Sequence, residues 1–593
     1  MRSKSALIPF LSFVVTAFFA APRPASAQDD QDPPGRVARL NFIQGSVSYQ
    51  VSGDQDWVEA DPNRPLTTGD NLWADKDSRG EVHIGASSIR LSSETGISFL
   101  NLDDRTIQVQ LAQGTIEVHY RHHMAGDAFE FDTPNVAFTL TKGGEYKIST
   151  DPNGYSTVIT VREGEGEVTG GGNSYTLEAG HQYTIMGTDQ LSFENEAAPP
   201  FDEFENWCQS RDQRENSAVS AKYASRDVDG YYDLDDYGDW QPDAIYGIVW
   251  YPRRVVADWA PYHFGHWVWI APWGWTWVGD EPWGFAPFHF GRWALVGSRW
   301  AWVPGPVVVR PFYAPALVGF VGGAGFGVSL GFGGGFTGVA WFPLGPRDVF
   351  IPGYHVSPRY VERINITNTR LIDRTYVTKV YDDYAINHVT NITYENREAP
   401  GAVTAVSRET FVNARPVATE SVRVTAEQIR SARVIDAASL TPTRTSYVAS
   451  TARASTARPA FSFQQRPVVA KLPPGTPSSR QIYTNDSREF NREPTRANNE
   501  PSADRADNAS SPGRQPGRTA QPGANNERTV APSGSPEEAK PRERPPVRFS
   551  PPDKANDSEY DVHPPLNQHP APQPRQEQRP APPPRQAEPR RPK

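Results

Sequence analysis

The side chains best placed to do chemistry in this 593-residue chain are indoles. Eleven of its sixteen tryptophans fall between Trp250 and Trp302, and five crowd into APYHFGHWVWIAPWGWTWV, residues 260–278. An indole carries about 150–250 Å² of surface and one N–H donor. A row of indoles therefore either fills a core or makes a flat face on which a sugar ring or a partner stacks. Each ring fully buried would contribute about 4–6 kcal/mol before entropy, at roughly 25 cal/mol/Å². A small domain buries only about 60% of its surface, so some rings are expected to face solvent. The candidate face is Trp267, Trp269, Trp275 and Trp277 with Trp293, Trp300 and Trp302. Its expected ligands are glycan or peptidoglycan, or an envelope protein.

Other reactive residues give weaker signals. His119, His122 and His123 in HYRHH could bind a metal, but on a strand 119 and 123 share a face and 122 points away. Asp233, Asp235 and Asp236 lack the D-x-[DN]-x-[DN]-G loop and closing Glu of a calcium site. Asp280 and Glu281 are adjacent and face opposite ways if extended, unlike a hydrolytic pair. Gly333-x-Gly335-x-x-Gly338 precedes a strand-like VAWF rather than a helix, so it is no dinucleotide fingerprint. H-E-x-x-H and Walker patterns are missing, and the single Cys208 has no placed base. The expectation is a non-enzyme without cofactor or metal, and with no nucleic-acid partner. His263 and His289 are expected to make structural hydrogen bonds.

These residues need elements to hold them. WAPYHFGHW at 259–267 repeats as FAPFHFGRW at 285–293, and WTWV at 275–278 repeats as WAWV at 300–303. Each copy reads as a β-hairpin, with APWG as the turn of the first. Upstream, about 36–190, short alternating runs such as SVSYQV, TIQVQLA and STVITV are separated by turn residues, which predicts a β-sandwich or β-roll. Between them lies an acidic linker, 195–243, with 14 acidic and 4 basic residues over 194–243 and a short helix in FDEFENWCQSRDQRE. The uncharged stretch between Arg310 and Arg347 is too rich in Gly to span a membrane as a helix and reads as glycine-rich strands or loop. Segment 357–458 is expected to be extended and partly ordered, with Thr425-x-x-Gln428 capping a short helix. From 459 the Pro- and Arg-rich composition predicts a disordered tail. At the other end, Arg2, Lys4, the apolar run 6–20 and Ala25-Ser26-Ala27 read as a signal peptide cut after Ala27, which implies a periplasmic or extracellular protein.

Two resemblances join these readings. GSVSYQ, LTTGDNLWAD, IRLSSETGISFL, VQLAQGTIEVHY and FDTPNVAFTLTKGGEYKIST follow, in order, the pattern of the FecR-type periplasmic domain. That resemblance implies an all-β domain over 36–190. In the family, the domain serves a transmembrane regulator that passes an outer-membrane signal to a sigma factor. The anti-sigma segment and membrane helix of such a regulator are not recognisable here, so signalling would need a separate membrane partner. Roughly residues 201–420, with FDEFENWCQSRDQRE, YDLDDYGDW, the Trp-rich repeat region 244–356 and PGAVTAVSRETFVNARPV, resemble a Trp-rich family of unknown function from secreted bacterial proteins. Together they imply a cell-envelope binding or scaffold module, all-β, with a Trp/Gly/Pro-rich hairpin-repeat domain after the FecR-like one. The alternative they imply is an accessory component of envelope signal sensing.

Overall fold

A computed structural model describes residues 32–322, 327–330, 334–387, 393–435, 440–449, 451–460 and 465–477. The signal-peptide reading and most of the predicted tail lie outside the described residues. Within them the protein is an all-β fold with a few short helices.

The first domain is a sandwich of two sheets that share one strand, Thr106–Tyr120. In one sheet the shared strand lies between Ser87–Leu91 and Gly144–Thr150; in the other it lies between Thr95–Leu102 and Ala128–Asp132. The pairing with Ala128–Asp132 is parallel, and all the other strand pairs of the domain are antiparallel. The crossing has a local cause. Gly114 adopts φ +93°, and the register against Thr95–Leu102 slips between Gly96 and Ile97. The slip switches the parity of inward residues, from Ile107, Val109 and Leu111 to Ile116, Val118 and Tyr120. One strand thereby feeds both halves of the same apolar core.

The repeat folds as two hairpins. Gly265–Ile270 pairs with Gly274–Gly279, and Arg292–Val296 pairs with Arg299–Val303. The copies part company in the sheet: the second joins Gly247–Pro252 through Trp250 opposite Trp302, while the first stays two-stranded. Val318–Gly322, Gly327–Leu330 and Gly334–Pro343 are strands, as the glycine-rich sequence suggests. No helix among the described residues is long and apolar enough to cross a membrane.

Three expectations change. Residues 357–387 are helical, Pro358–Ile366 and Arg374–Asn387, rather than extended. Ser357 caps the first of these by accepting the Tyr360 N–H, Pro358 sits in its first turn, and Tyr360, Val361 and Ile364 make a buried stripe. Tertiary burial of that stripe outweighs the β-branched composition. Second, the acidic segment is no loose linker. Its helix Glu203–Asn216 and the turns through Tyr231–Asp233 are packed, with Tyr231, Tyr232 and Asp233 all buried. Third, part of the beginning of the predicted tail is ordered. Residues 451–460 and 465–477 lie across the β domain, where Ala454 bridges Val58, Val469 N–H donates to the Thr133 carbonyl, and Gly475 N–H donates to the Leu100 carbonyl. The short helix at Ala426–Ser431 has its Thr425/Gln428 capping box.

Candidate functional site

The register of the first hairpin puts Trp267 opposite Trp277 and Trp269 opposite Trp275, so all four indoles share one face. That face is not open. Trp267 packs within 5.1–5.5 Å of Phe320, Phe411, Trp341 and Trp277, measured between ring centroids. Trp275 lies 4.6 Å from Phe411. The opposite face, with His266, Val268, Thr276 and Val278, is buried as well. In the second hairpin, Trp293 and Trp302 face each other across the strands, beside Trp259, Trp283 and Trp240.

The proposed stacking platform is therefore corrected. Trp267, Trp275, Trp277, Trp293, Trp300 and Trp302 are between 0% and 7% exposed, and Trp269 alone is half-buried. The physical reason is that the hairpins are not an isolated small domain. Strands and helices from 312–420 close over them, which removes the surface-to-volume limit that left rings outside. Four indole N–H groups donate to carbonyls, Trp250 to Leu234, Trp293 to Pro287, Trp302 to Phe290 and Trp341 to Tyr262, at 2.8–3.0 Å, whereas those of Trp267 and Trp277 are buried without a partner among the described residues. The repeat histidines are structural too, though unlike each other. His289 is fully buried with Nδ1 2.8 Å from the Ala314 carbonyl, and burial pushes its pKa down to about 3. His263 is part-buried, with Nδ1 3.4 Å from the hydroxyl of Thr404.

Titratable chemistry gathers elsewhere, on the outer face of one sandwich sheet. Alternation places Arg39, Glu81, His83, Arg90, Glu117, His119 and Lys147 on a single face, with Arg39 opposite His83, Arg90 between Glu81 and Glu117, and Lys147 opposite Glu117. The acidic helix covers them. Asp212 accepts from Arg90 Nη2 at 2.7 Å and lies 2.6 Å from His119 Nδ1. Glu81 accepts from Arg90 Nε at 3.0 Å and Arg211 Nε at 2.7 Å, with His83 Nε2 at 2.9 Å. Burial alone would raise Glu81, but Arg90, His83 and Arg211 outweigh it and hold the carboxyl well below its ordinary range. Asp212 is likewise held down at about 2 by His119 and Arg90 against burial. Glu117 goes the other way, pushed up to about 8 by burial despite the Cys208 thiol and Arg90. The Cys208 thiol is itself raised by burial and the Glu117 charge, which leaves it an inert core group. Arg39 of the β domain also donates to Asp233 of the acidic segment at 2.7 Å, and Asn63 Nδ2 ties the domain to the end of the first hairpin by donating to the Gly279 and Glu281 carbonyls.

The metal candidates fall into this network. His119 pairs with Asp212, His122 lies 3.7 Å from Asp227 and His123 meets Tyr120, so HYRHH disperses. Asp235 and Asp236 bind Ser220 and Arg214. Among the described residues no group of three or more His, Cys, Asp or Glu is arranged to hold a metal ion. Two cavities remain at the seams between the β domain and the Trp-rich part. One, about 100 Å³, lies by Asp229, Arg310 and Tyr313; the other, about 290 Å³, lies by Arg64, His266 and Arg453. Sequence reasoning missed this face and both seams. The available signal was the charge alternating with apolar residues in EVHI and IRL, which marks a strand buried on both sides.

Residues 231–348 match the model of a family of unknown function, DUF6600. The matched stretch contains both hairpins and the glycine-rich strands, so this part of the chain is similar to that family. None of the curated proteins matches the chain. Two crystal structures of a protein from Parabacteroides distasonis, described provisionally as an anti-sigma factor, show a partial likeness. Their identities are 16% and 15%, with TM-scores of 0.20 and 0.21, over 22% and 23% of this chain. The chain spans 60% and 64% of those proteins, less than two thirds of their length. At those TM-scores the likeness carries no argument about fold or role.

Proposed function

We propose that this chain is an exported, non-enzymatic module of a bacterial cell envelope, a rigid scaffold that contacts an envelope protein or glycan. The observation that carries this reading is the junction, where the acidic segment is pinned across the β domain by the buried pairs Arg39–Asp233 and Arg90–Asp212, each 2.7 Å long. Buried pairs of this kind add little net stability but penalise any arrangement that separates them. That is the behaviour of a fixed scaffold rather than a hinge. The signal-peptide pattern of residues 1–27 and the FecR-like pattern of 36–190 support the envelope setting. With the Trp rings spent internally, contact falls to other groups: the exposed Ile245, Val256, Val307 and Val309, and the Pro- and Arg-rich chain from residue 478 onward. The FecR-like pattern also supports a narrower version, in which the module serves a separate membrane regulator.

The test is fractionation of cells expressing the full chain, N-terminal sequencing of the product, and in-cell crosslinking. The expected product begins at Gln28, lies outside the cytoplasm and crosslinks to an envelope component, with less product when 478–593 is removed. A crosslinked transmembrane regulator would select the narrower version. Cytoplasmic retention with an intact leader would overturn the reading.

A further inference from the structure

The 100 Å³ seam cavity contains an imbalance. Two of its lining groups carry buried polar atoms without a hydrogen-bond partner among the described residues: Oδ1 of Asp229 and the hydroxyl of Tyr313. The two residues are 4% and 1% exposed, so bulk water does not serve them freely. An acceptor left bare in such a place costs free energy, a carboxylate most of all.

The other charges around the cavity are occupied. Arg310 Nη1 donates to Asp127 at 3.0 Å, and Arg36 lies 3.9 Å from the same carboxylate. Asp104 accepts the Gly35 N–H at 2.8 Å. Asp227 accepts the backbone N–H groups of Ala86 and Arg310, at 3.2 and 3.1 Å. Arg363 sits 4.1 Å above the Phe312 ring. Four aspartates, three arginines and His122 line the cavity, His122 lies 3.7 Å from Asp227, and Asp229 is the carboxylate with an open oxygen. Burial raises Asp229 to about 7, with His83, Arg39 and a Gly85 N–H offsetting it only in part and Asp227 adding to it. The remaining wall includes the aromatic side chains of Phe129, Phe290 and Phe312, the last already under Arg363.

We propose that this cavity binds a small primary ammonium group, held by Asp229 and Tyr313 against the aromatic wall. The group is either a simple amine or the amino end of a free amino acid. The volume admits only a few heavy atoms, which excludes polyamines and peptides. The inference is independent of the scaffold reading, since the cavity requires only the folded junction.

The test is a titration of the full chain with ethylammonium chloride, glycine, ethanol and sodium chloride at pH 7.5, following the thermal midpoint and tryptophan fluorescence. Trp273, 5.2 Å from the Tyr313 ring, is the expected reporter. Ethylammonium or glycine should give a saturable shift, weakened at least tenfold in Asp229→Asn and absent with ethanol and sodium chloride. A response to ethylammonium alone identifies a simple amine, and one to glycine alone identifies an amino acid. No saturable shift with either probe, or an equal shift in Asp229→Asn, would overturn the proposal. Should Asp229→Asn fail to fold, a crystal structure of the wild type grown in ethylammonium decides. The amine nitrogen on Asp229 Oδ1 supports the site, and water alone there refutes it.

Discussion

Replacing Trp302 with alanine separates a core from a binding face. Trp302 is 1% exposed, pairs across strands with Trp250 and Trp293, and donates its indole N–H to the Phe290 carbonyl at 2.8 Å. Removing a buried indole costs about 3–5 kcal/mol through lost transfer energy and the cavity left behind. The stranded Phe290 carbonyl adds about 1–3 kcal/mol if no water reaches it. The combined loss, about 4–8 kcal/mol, is comparable to the whole stability of an ordinary domain. Trp302→Ala should therefore unfold or aggregate, or lose most of its urea midpoint. Trp269→Ala, at the half-buried indole packed edge-on against Trp275, should cost only about 2–3 kcal/mol, half of the area value for a fully buried ring. The assay is urea unfolding followed by fluorescence and circular dichroism, with retention on purified peptidoglycan measured in parallel. A Trp302→Ala protein with wild-type stability that no longer binds peptidoglycan would refute the reasoning.

Glu81→Gln leaves Arg90, Arg211 and His83 facing a neutral amide and should cost about 3–5 kcal/mol, read as a lower unfolding midpoint. His289 has its pKa lowered to about 3, so between pH 3 and 6.5 the unfolded chain takes up a proton that the native state refuses. Its contribution is complete above pH 6.5 and shrinks by about 3 kcal/mol between pH 7 and pH 4. Glu117, Asp132 and Asp229, raised to about 8, 8 and 7, act in the opposite sense, costing stability as pH climbs from 4 towards 8. The His289 term should appear as the difference between wild-type and His289→Phe pH–stability curves, and parallel curves would contradict it. Gly114→Ala puts a side chain against Thr95 at φ +93° and should cost at least about 2 kcal/mol, visible as a lower melting temperature.

The hairpin repeat was legible because alternation and turn chemistry are local, and the observed strands begin within a few residues of the quoted motifs. What closes over those hairpins was not. Phe411 and Trp341 are far along the chain from Trp267, and no local pattern announces that they will cover it. The acidic segment looked like a linker because charge usually means solvent. Here its carboxylates find their counter-charges on a β face, with Asp212 122 residues from Arg90. The helix at Pro358–Ile366 had a readable signal in the Ser-Pro start and the spacing of Tyr360, Val361 and Ile364, which the β-branched composition masked. The unpaired Asp229 and Tyr313 could not be read at all, since a missing partner is a property of packing.

The central claim is that the tryptophan array is the core that fastens the hairpins to the rest of the protein. Its most direct test is hydrogen exchange of the indole N–H groups, followed by NMR on the folded chain. Trp250, Trp267, Trp277, Trp293 and Trp302, at 0–1% exposure, should exchange only through large-scale opening, far more slowly than Trp269. Rapid exchange of Trp267, Trp277, Trp293 and Trp302 in a folded protein would contradict the account and restore the open aromatic face.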